Sequence, residues 1–327
     1  MAQSDRGSEA RRGVPRDPLM KRALELAELG RGTTHPNPVV GAVVVTPGGT
    51  VVGEGWHEHA GGPHAELVAL RAAGGRAKGA TLYATLEPCS RLGRTPPCVD
   101  AIVGAGIAKV VVGSDDPSQE GIERLRELGV EVEVLDLWEA RRQNEAWRVW
   151  ATLERPFVTY KAAVTLDGRM TIPGSRWISG EESRRLVHEL RAQSDAVAVG
   201  MGTVRADDPQ LDAREVGAER QPRRLAFGLG PLPDGSELEL RSGEPVEELR
   251  ALATEGVQSL LLEGGPTIAT AFLERALIDK LLLFVAPMLS GAGPHVFNDF
   301  TGSAALTRTT ARRLGEDLLV EGYIREP

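Results

Sequence analysis

The chain has 327 residues, of which 41% are hydrophobic and 26% charged, enough for two globular domains with separate cores. Its formal net charge of −8 argues against a non-specific nucleic-acid binder, which needs a broad basic face, and no stretch is apolar for long enough to cross a bilayer. Two cysteines make no disulfide framework, although one disulfide or two buried thiols would fit the count.

Met1 to Val14 is polar and basic. It reads as a disordered leader and not a signal peptide, consistent with a cytoplasmic protein. Asp17-Pro18 has the pattern of an N-cap followed by a first-turn proline, and Leu19, Met20, Ala23, Leu24, Leu26 and Ala27 continue it as a helical stripe. Val39 to Val45 reads as a buried strand, Pro47-Gly48-Gly49 as a turn and Val51 to Trp56 as a second strand. A helix follows over Ala65 to Ala73, a strand over Ala80 to Leu86 and a helix over Pro97 to Val103. Strands Lys109 to Val112 and Val130 to Val134 flank a helix over Gly121 to Leu128. Leu137 to Leu153 reads as one long helix carrying Trp138, Trp147 and Trp150, stopped by Arg155-Pro156. The tryptophans suit core packing better than base stacking.

A domain boundary falls between residues 146 and 156, giving a first domain over 15–150 and a second over 151–327. The second alternates strand (157–164), helix (181–193), strands (196–200 and 223–227), helix (245–253) and strand (259–262). A helix over 267–275 and strands over 281–286 and 317–324 complete it. Both halves are therefore α/β.

The two cysteines share one segment, Glu87-Pro88-Cys89-Ser90-Arg91-Leu92-Gly93-Arg94-Thr95-Pro96-Pro97-Cys98, downstream of Pro63-His64-Ala65-Glu66. His64, Cys89 and Cys98 make an imidazole and two thiolates, which leaves the fourth position of a tetrahedral zinc open, as in a catalytic site. Glu66, two residues after the histidine, is a proton carrier and not a ligand; His-x-Glu followed by Pro-Cys and a second Cys is the pattern of zinc deaminases. The predicted elements put His64 and Cys98 at helix starts, where partial positive charge favours thiolate over thiol. His57 and His59 lie near enough to compete as ligands, although surface or pocket positions are the simpler reading.

The eight-residue spacing between the cysteines is longer than in nucleoside deaminases, and the loop carries Arg91 and Arg94. Together with Thr34-His35-Pro36-Asn37-Pro38, these strings resemble the bifunctional riboflavin-biosynthesis deaminase–reductase family (the RibD type). The resemblance implies an N-terminal cytidine-deaminase-like three-layer domain in which His64, Cys89 and Cys98 hold Zn2+ and Glu66 is catalytic. It implies that His35, Asn37, Arg91 and Arg94 bind the substrate, 2,5-diamino-6-ribosylamino-4(3H)-pyrimidinone 5′-phosphate. Arg91 stands where the family usually has histidine.

The second half has no G-x-G-x-x-G. A glycine pair does stand between strand and helix at Glu263-Gly264-Gly265-Pro266-Thr267, where backbone N–H groups could meet a phosphate, though a structural turn reads equally well. Thr165-Leu166-Asp167-Gly168-Arg169, Ser175-Arg176-Trp177-Ile178, Arg191-Ala192-Gln193 and Gly202 to Leu211 resemble the reductase domain of the same family. That resemblance implies a dihydrofolate-reductase-like fold. NADPH would meet Ala163, Trp177, Thr203, Asp207, Gly265, Pro266, Thr267, Ile268, Ala269, Thr270 and Ala271. The second substrate, 5-amino-6-(5-phosphoribosylamino)uracil, would meet Ser175, Arg191, Leu211, Arg214 and Glu263. Gly228-Leu229 replaces the family's usual Asp-Ser.

The expected partners are phosphorylated pyrimidines, with no nucleic acid and no membrane, and the expected assembly is a homo-oligomer. Two other readings fit parts of the sequence: a pyrimidine deaminase with a degenerate reductase domain, and a nucleic-acid deaminase with a binding module. The acidic charge and 4% aromatic content weigh against the latter.

Overall fold

Alternating apolar runs and amphipathic stripes fold into two α/β units, Met1–Thr152 and Leu153–Pro327. The structure is a computed structural model describing residues 17–91, 97–175, 177–218, 220–298 and 300–327. The expected leader over 1–14 lies outside the described residues, and so does Arg94.

The first unit runs α1 (Pro18–Glu28), β1 (Gly41–Val45), β2 (Val51–Trp56), α2 (Ala65–Ala73), β3 (Thr81–Leu86), α3 (Cys98–Gly104), β4 (Lys109–Ser114), α4 (Gly121–Glu127), β5 (Glu131–Val134), α5 (Trp138–Gln143) and α6 (Glu145–Leu153). Its five strands lie in the order β2-β1-β3-β4-β5, with β1 antiparallel to both neighbours and β3, β4 and β5 parallel. One face packs Ala42 and Val44 against Ala69 of α2, Ile102 of α3 and Leu125 of α4. The other packs Val43, Val45 and Val111 against Met20, Ala23 and Leu26 of α1. These layers are why β1 is buried at every position.

Asp17 caps α1 by accepting from Leu19 N at 2.8 Å, ahead of the first-turn proline. The expected single helix over 137–153 is broken at Asn144 into α5 and α6. Asn144 is buried, and its side chain accepts from Val39 N and donates to Val39 O, both at 2.9 Å. That tertiary pairing of an otherwise unpartnered strand entry outweighs continuation of the helix.

The second unit runs β6 (Phe157–Thr165), α7 (Glu181–Gln193), β7 (Ala196–Gly200), α8 (Met201–Asp207), β8 (Arg223–Phe227), β9 (Glu239–Arg241), α9 (Pro245–Thr254), β10 (Ser259–Leu262), α10 (Pro266–Glu274), β11 (Lys280–Ala286), β12 (Thr307–Leu314) and β13 (Asp317–Tyr323). The eight-stranded sheet has the order β12-β13-β11-β6-β10-β7-β8-β9. From β11 to β9 every neighbouring pair is parallel, and β13 is antiparallel to both its neighbours. Residues of α9 and α10 cover one face and residues of α7 and α8 the other. Three elements escape the sequence pattern: α8, which starts directly at the end of β7, the short β9, and β12, whose residues are almost all exposed.

Arg155 opens this unit. Its guanidinium makes a two-pronged ion pair with Asp279, 2.7 Å on each arm, and the same carboxylate accepts from Val158 N at 2.9 Å. Asp279 is fully buried, so the pair ties the start of β6 to the start of β11.

Candidate active sites

Close backbone approach seats the first site. A Cβ on Gly53 would lie 2.1 Å from Ala69 O, and one on Gly55 would lie 2.7 Å from Ala65 O, so glycine is what lets α2 settle onto β2. That fixes the start of α2, where His64 is the extended N-cap and Glu66 sits in the first turn. Cys89 follows the end of β3, and Cys98 begins α3. Glu87 anchors this corner: its buried carboxylate accepts from Asp116 N and Ile122 N, each at 3.0 Å, joining the end of β3 to the start of α4.

His64 Nδ1, Cys89 Sγ and Cys98 Sγ converge, all within 4.8 Å of one another. His64 Nδ1 lies 3.2 Å from Cys98 Sγ and 3.5 Å from Cys89 Sγ. A tetrahedral zinc, with Zn–S about 2.3 Å and Zn–N about 2.0 Å, separates such ligands by about 3.5–3.8 Å, so this donor set fits the metal in both chemistry and spacing. Cys98 N donates to Cys89 Sγ at 3.3 Å, a contact that favours thiolate. A hydrogen bond from the Cys98 side chain holds Cys89 well below an ordinary thiol, and contact with Cys89 raises His64. Glu66 is 3% exposed, and burial pushes its carboxyl up to about 7, where it can both accept and release a proton.

His57 is not part of this cluster. It is 2% exposed, with Nδ1 3.0 Å from Pro63 O and Nε2 3.0 Å from Asn37 Nδ2, and its ring meets His64 edge-on at 5.5 Å. The link between His57 and Asn37, twenty residues away, carries no motif that a sequence could show. His59 is exposed, with Nδ1 3.2 Å from Ala60 O. His35 and Arg91 are exposed, and Asn37 is half-buried.

The second unit contains a cavity of about 1130 Å³. Ala163, Trp177, Thr203 and Asp207 line it, and so do Arg191, Leu211, Arg214 and Glu263. Ser175 is not on the wall; its hydroxyl exchanges hydrogen bonds with Trp177 N and O at 3.3 and 2.9 Å. Trp177 is 52% exposed, with Arg184 5.4 Å over its ring. Arg191 pairs with Glu263 on both arms at 2.6 and 3.0 Å, while Arg214 is held by Asp212 at 2.6 Å.

Lys161, which belongs to no sequence motif, also lines the cavity, with Nζ 3.5 Å from Glu263 Oε2. Its signal was the one charged residue in the strand Phe157–Thr165. Burial alone raises Glu263, but Lys161 and Arg191 overcome it and hold the carboxyl below the usual range.

Gly265 to Ala271 lie off the cavity wall, at the start of α10. Gly265 N donates to Thr203 Oγ1 at 3.3 Å, which brings this turn beside α8. A Cβ on Gly264 would lie 2.1 Å from Ile268, so the turn is close-packed. Ala269 is fully buried, and Thr270 donates to Asn298 O at 2.9 Å, leaving the first-turn backbone as the part open to a ligand. A polar cavity beside a helix N-terminus at the carboxyl ends of parallel strands fits a dinucleotide phosphate.

The folds and sites define a two-domain enzyme that joins a zinc-dependent deaminase to an NADPH-dependent reductase. Residues 15–114 match the cytidine and deoxycytidylate deaminase zinc-binding region, and residues 156–228 and 236–320 match the RibD C-terminal domain. The chain is 42% identical to the riboflavin biosynthesis protein RibD of Aquifex aeolicus, over 92% of this chain and 96% of that one. It is 38% identical to the RibD of Escherichia coli, over 84% and 88%. Among solved structures, an Acinetobacter baumannii RibD superposes with a TM-score of 0.82 at 34% identity, over 94% of this chain and 98% of that one. The deaminase/reductase of Thermotoga maritima gives 0.79 at 34%, over 94% and 97%. The chain belongs to the RibD family of bifunctional riboflavin-biosynthesis enzymes. Among the described residues no helix is long and apolar enough to cross a membrane.

Proposed function

We propose that the first unit deaminates 2,5-diamino-6-ribosylamino-4(3H)-pyrimidinone 5′-phosphate and that the second reduces the ribosyl group of the product, 5-amino-6-(5-phosphoribosylamino)uracil. The observation that carries the reading is the convergence of His64, Cys89 and Cys98 beside the buried Glu66. These ligands would hold a zinc whose Lewis acidity makes a water nucleophilic at neutral pH. Glu66 accepts one proton of that water at its carboxylate and passes it to the ring nitrogen, then carries the second, from the added hydroxyl, to the departing amine. A C–N bond breaks, a C=O bond forms and ammonia leaves. Asn37 and His35 meet the ring or ribose, and Arg91 with Arg94 meets the phosphate.

In the second unit NADPH supplies the hydride. Ala163, Trp177, Thr203, Asp207 and the first turn of α10 hold the cofactor, with the 265–271 stretch contributing chiefly backbone. Ser175, Arg191, Leu211 and Arg214 bind the substrate. Glu263, ionised between Lys161 and Arg191, orients the sugar, and Lys161 joins it as a further polar contact. The reading extends to a cytoplasmic homo-oligomer, for which light scattering should give a mass above that of one chain.

The test is Glu66→Gln. The variant should keep zinc and lose ammonia release by about 10²–10⁴-fold, the worth of a positioned proton carrier. Turnover at the wild-type rate would remove Glu66 from the mechanism.

A further inference from the structure

His57 is buried, carries chemistry and has no part in the metal cluster or the proton transfer. A carbonyl oxygen can only accept, so the 3.0 Å contact with Pro63 O places the imidazole proton on Nδ1. In the neutral ring Nε2 is then an acceptor, and the group 3.0 Å away must be a donor. That settles the orientation of the Asn37 amide: Nδ2 faces His57 and Oδ1 faces away. The reverse orientation would set two acceptors against each other in a buried site.

The backbone holds both ends of this relay. Asn37 N donates to Thr34 O at 2.8 Å, and His57 N donates to Val40 O at 3.0 Å. The loops carrying them are clasped by Ala60 N to Thr33 O at 3.1 Å. Pro63 immediately precedes His64, so the imidazole spans from the neighbour of a metal-cluster residue to a residue read as a substrate contact.

We propose that His57 is a positioning residue for deaminase substrate recognition: locked as the Nδ1–H tautomer by Pro63, it fixes the Asn37 amide so that Oδ1 is presented to the pyrimidine substrate. The inference rests on the reading of Asn37 as a substrate contact. His57 touches no reacting atom and acts through Asn37, so its effect falls on substrate binding.

The test uses full-length, zinc-loaded enzyme with His57→Leu, His57→Gln, Asn37→Ala and the His57→Leu/Asn37→Ala double variant. Zinc content, ammonia-release kinetics and NADPH oxidation by the second domain are measured on each. Leucine fills the space without hydrogen bonding, whereas glutamine can donate to Pro63 O and accept from Asn37. His57→Leu should raise KM about tenfold with kcat within about twofold, the scale of one misdirected hydrogen bond. Zinc content and reductase rate should stay unchanged. His57→Gln should restore KM to within about twofold of wild type, and the double variant should be no worse than Asn37→Ala, as expected for residues acting through one contact.

A wild-type KM in His57→Leu, additive effects in the double variant, or a KM in soluble His57→Gln as poor as that expected of leucine overturns the positioning role. Loss of zinc in His57→Leu also overturns it, because His57 would then support the metal loop. A wild-type KM in Asn37→Ala removes Asn37 as a substrate contact and this inference with it. An effect at Asn37 with none at His57 overturns the positioning role alone.

Discussion

Glu263 and Lys161 show how charge is managed inside the reductase cavity. Glu263, with 6% of its side chain exposed, is ionised because two cations face it. Its folded pKa is depressed, so its stabilising contribution is fully present above the ordinary carboxylate value of about 4.3 and is lost as pH falls through the lower folded value. The stability difference between wild type and Glu263→Gln should therefore shrink as pH is lowered below about 4.3. A difference that stays constant across that range in denaturant titrations would contradict the pairing. Lys161→Met should lower reductase turnover by at least about tenfold, the worth of a charged contact at a reacting substrate, with deaminase turnover unaffected. Equal loss of both activities would point to misfolding. Lys161 was hidden from a motif-based reading because it stands alone; its place beside Glu263 depends on strand register.

At the scale of elements, most of the site was legible because its residues stand where elements begin or end. His64 caps α2, Cys89 follows β3 and Cys98 opens α3, so the strand and helix pattern alone placed them near one sheet edge. The split of the expected helix over 137–153 has its cause in a tertiary contact. Asn144 is compatible with a helix and gives no local stop signal, yet its amide pairs with both polar groups of Val39 and splits the helix. Asn144→Leu should destabilise the first unit by about 2–4 kcal/mol, since Val39 N–H and C=O are left without partners. A change within about 0.5 kcal/mol, the range of ordinary surface substitutions, would mean that water replaces the amide. The strand β12 was illegible for a different reason. Thr307–Leu314 pairs with β13 alone among the described strands and half-buries only its last residue, Leu314, so no alternation is written into it.

At the scale of the whole molecule, the two activities belong to separate compact units divided at Thr152 and Leu153. We propose that each folds alone. Residues 153–327 should unfold cooperatively and oxidise NADPH, whereas 157–327, which lacks Arg155, should be less stable by about 3–5 kcal/mol, because Asp279 becomes an uncompensated buried charge. Equal stability of the two fragments would mean that the ion pair contributes nothing net. The broad plan was readable from composition and periodicity, whereas the partner reductase was named only through resemblance: a single glycine pair at Gly264-Gly265 is a weak signal until strand order sets it beside Thr203.

The most direct measurement is a staged assay on the purified full-length chain with zinc content determined. Given the diaminopyrimidine phosphate without NADPH, the enzyme should release one ammonia per substrate and stop. Adding NADPH should then oxidise one equivalent of it. NADPH oxidation without prior ammonia release, or ammonia release from protein stripped of zinc, would contradict the account.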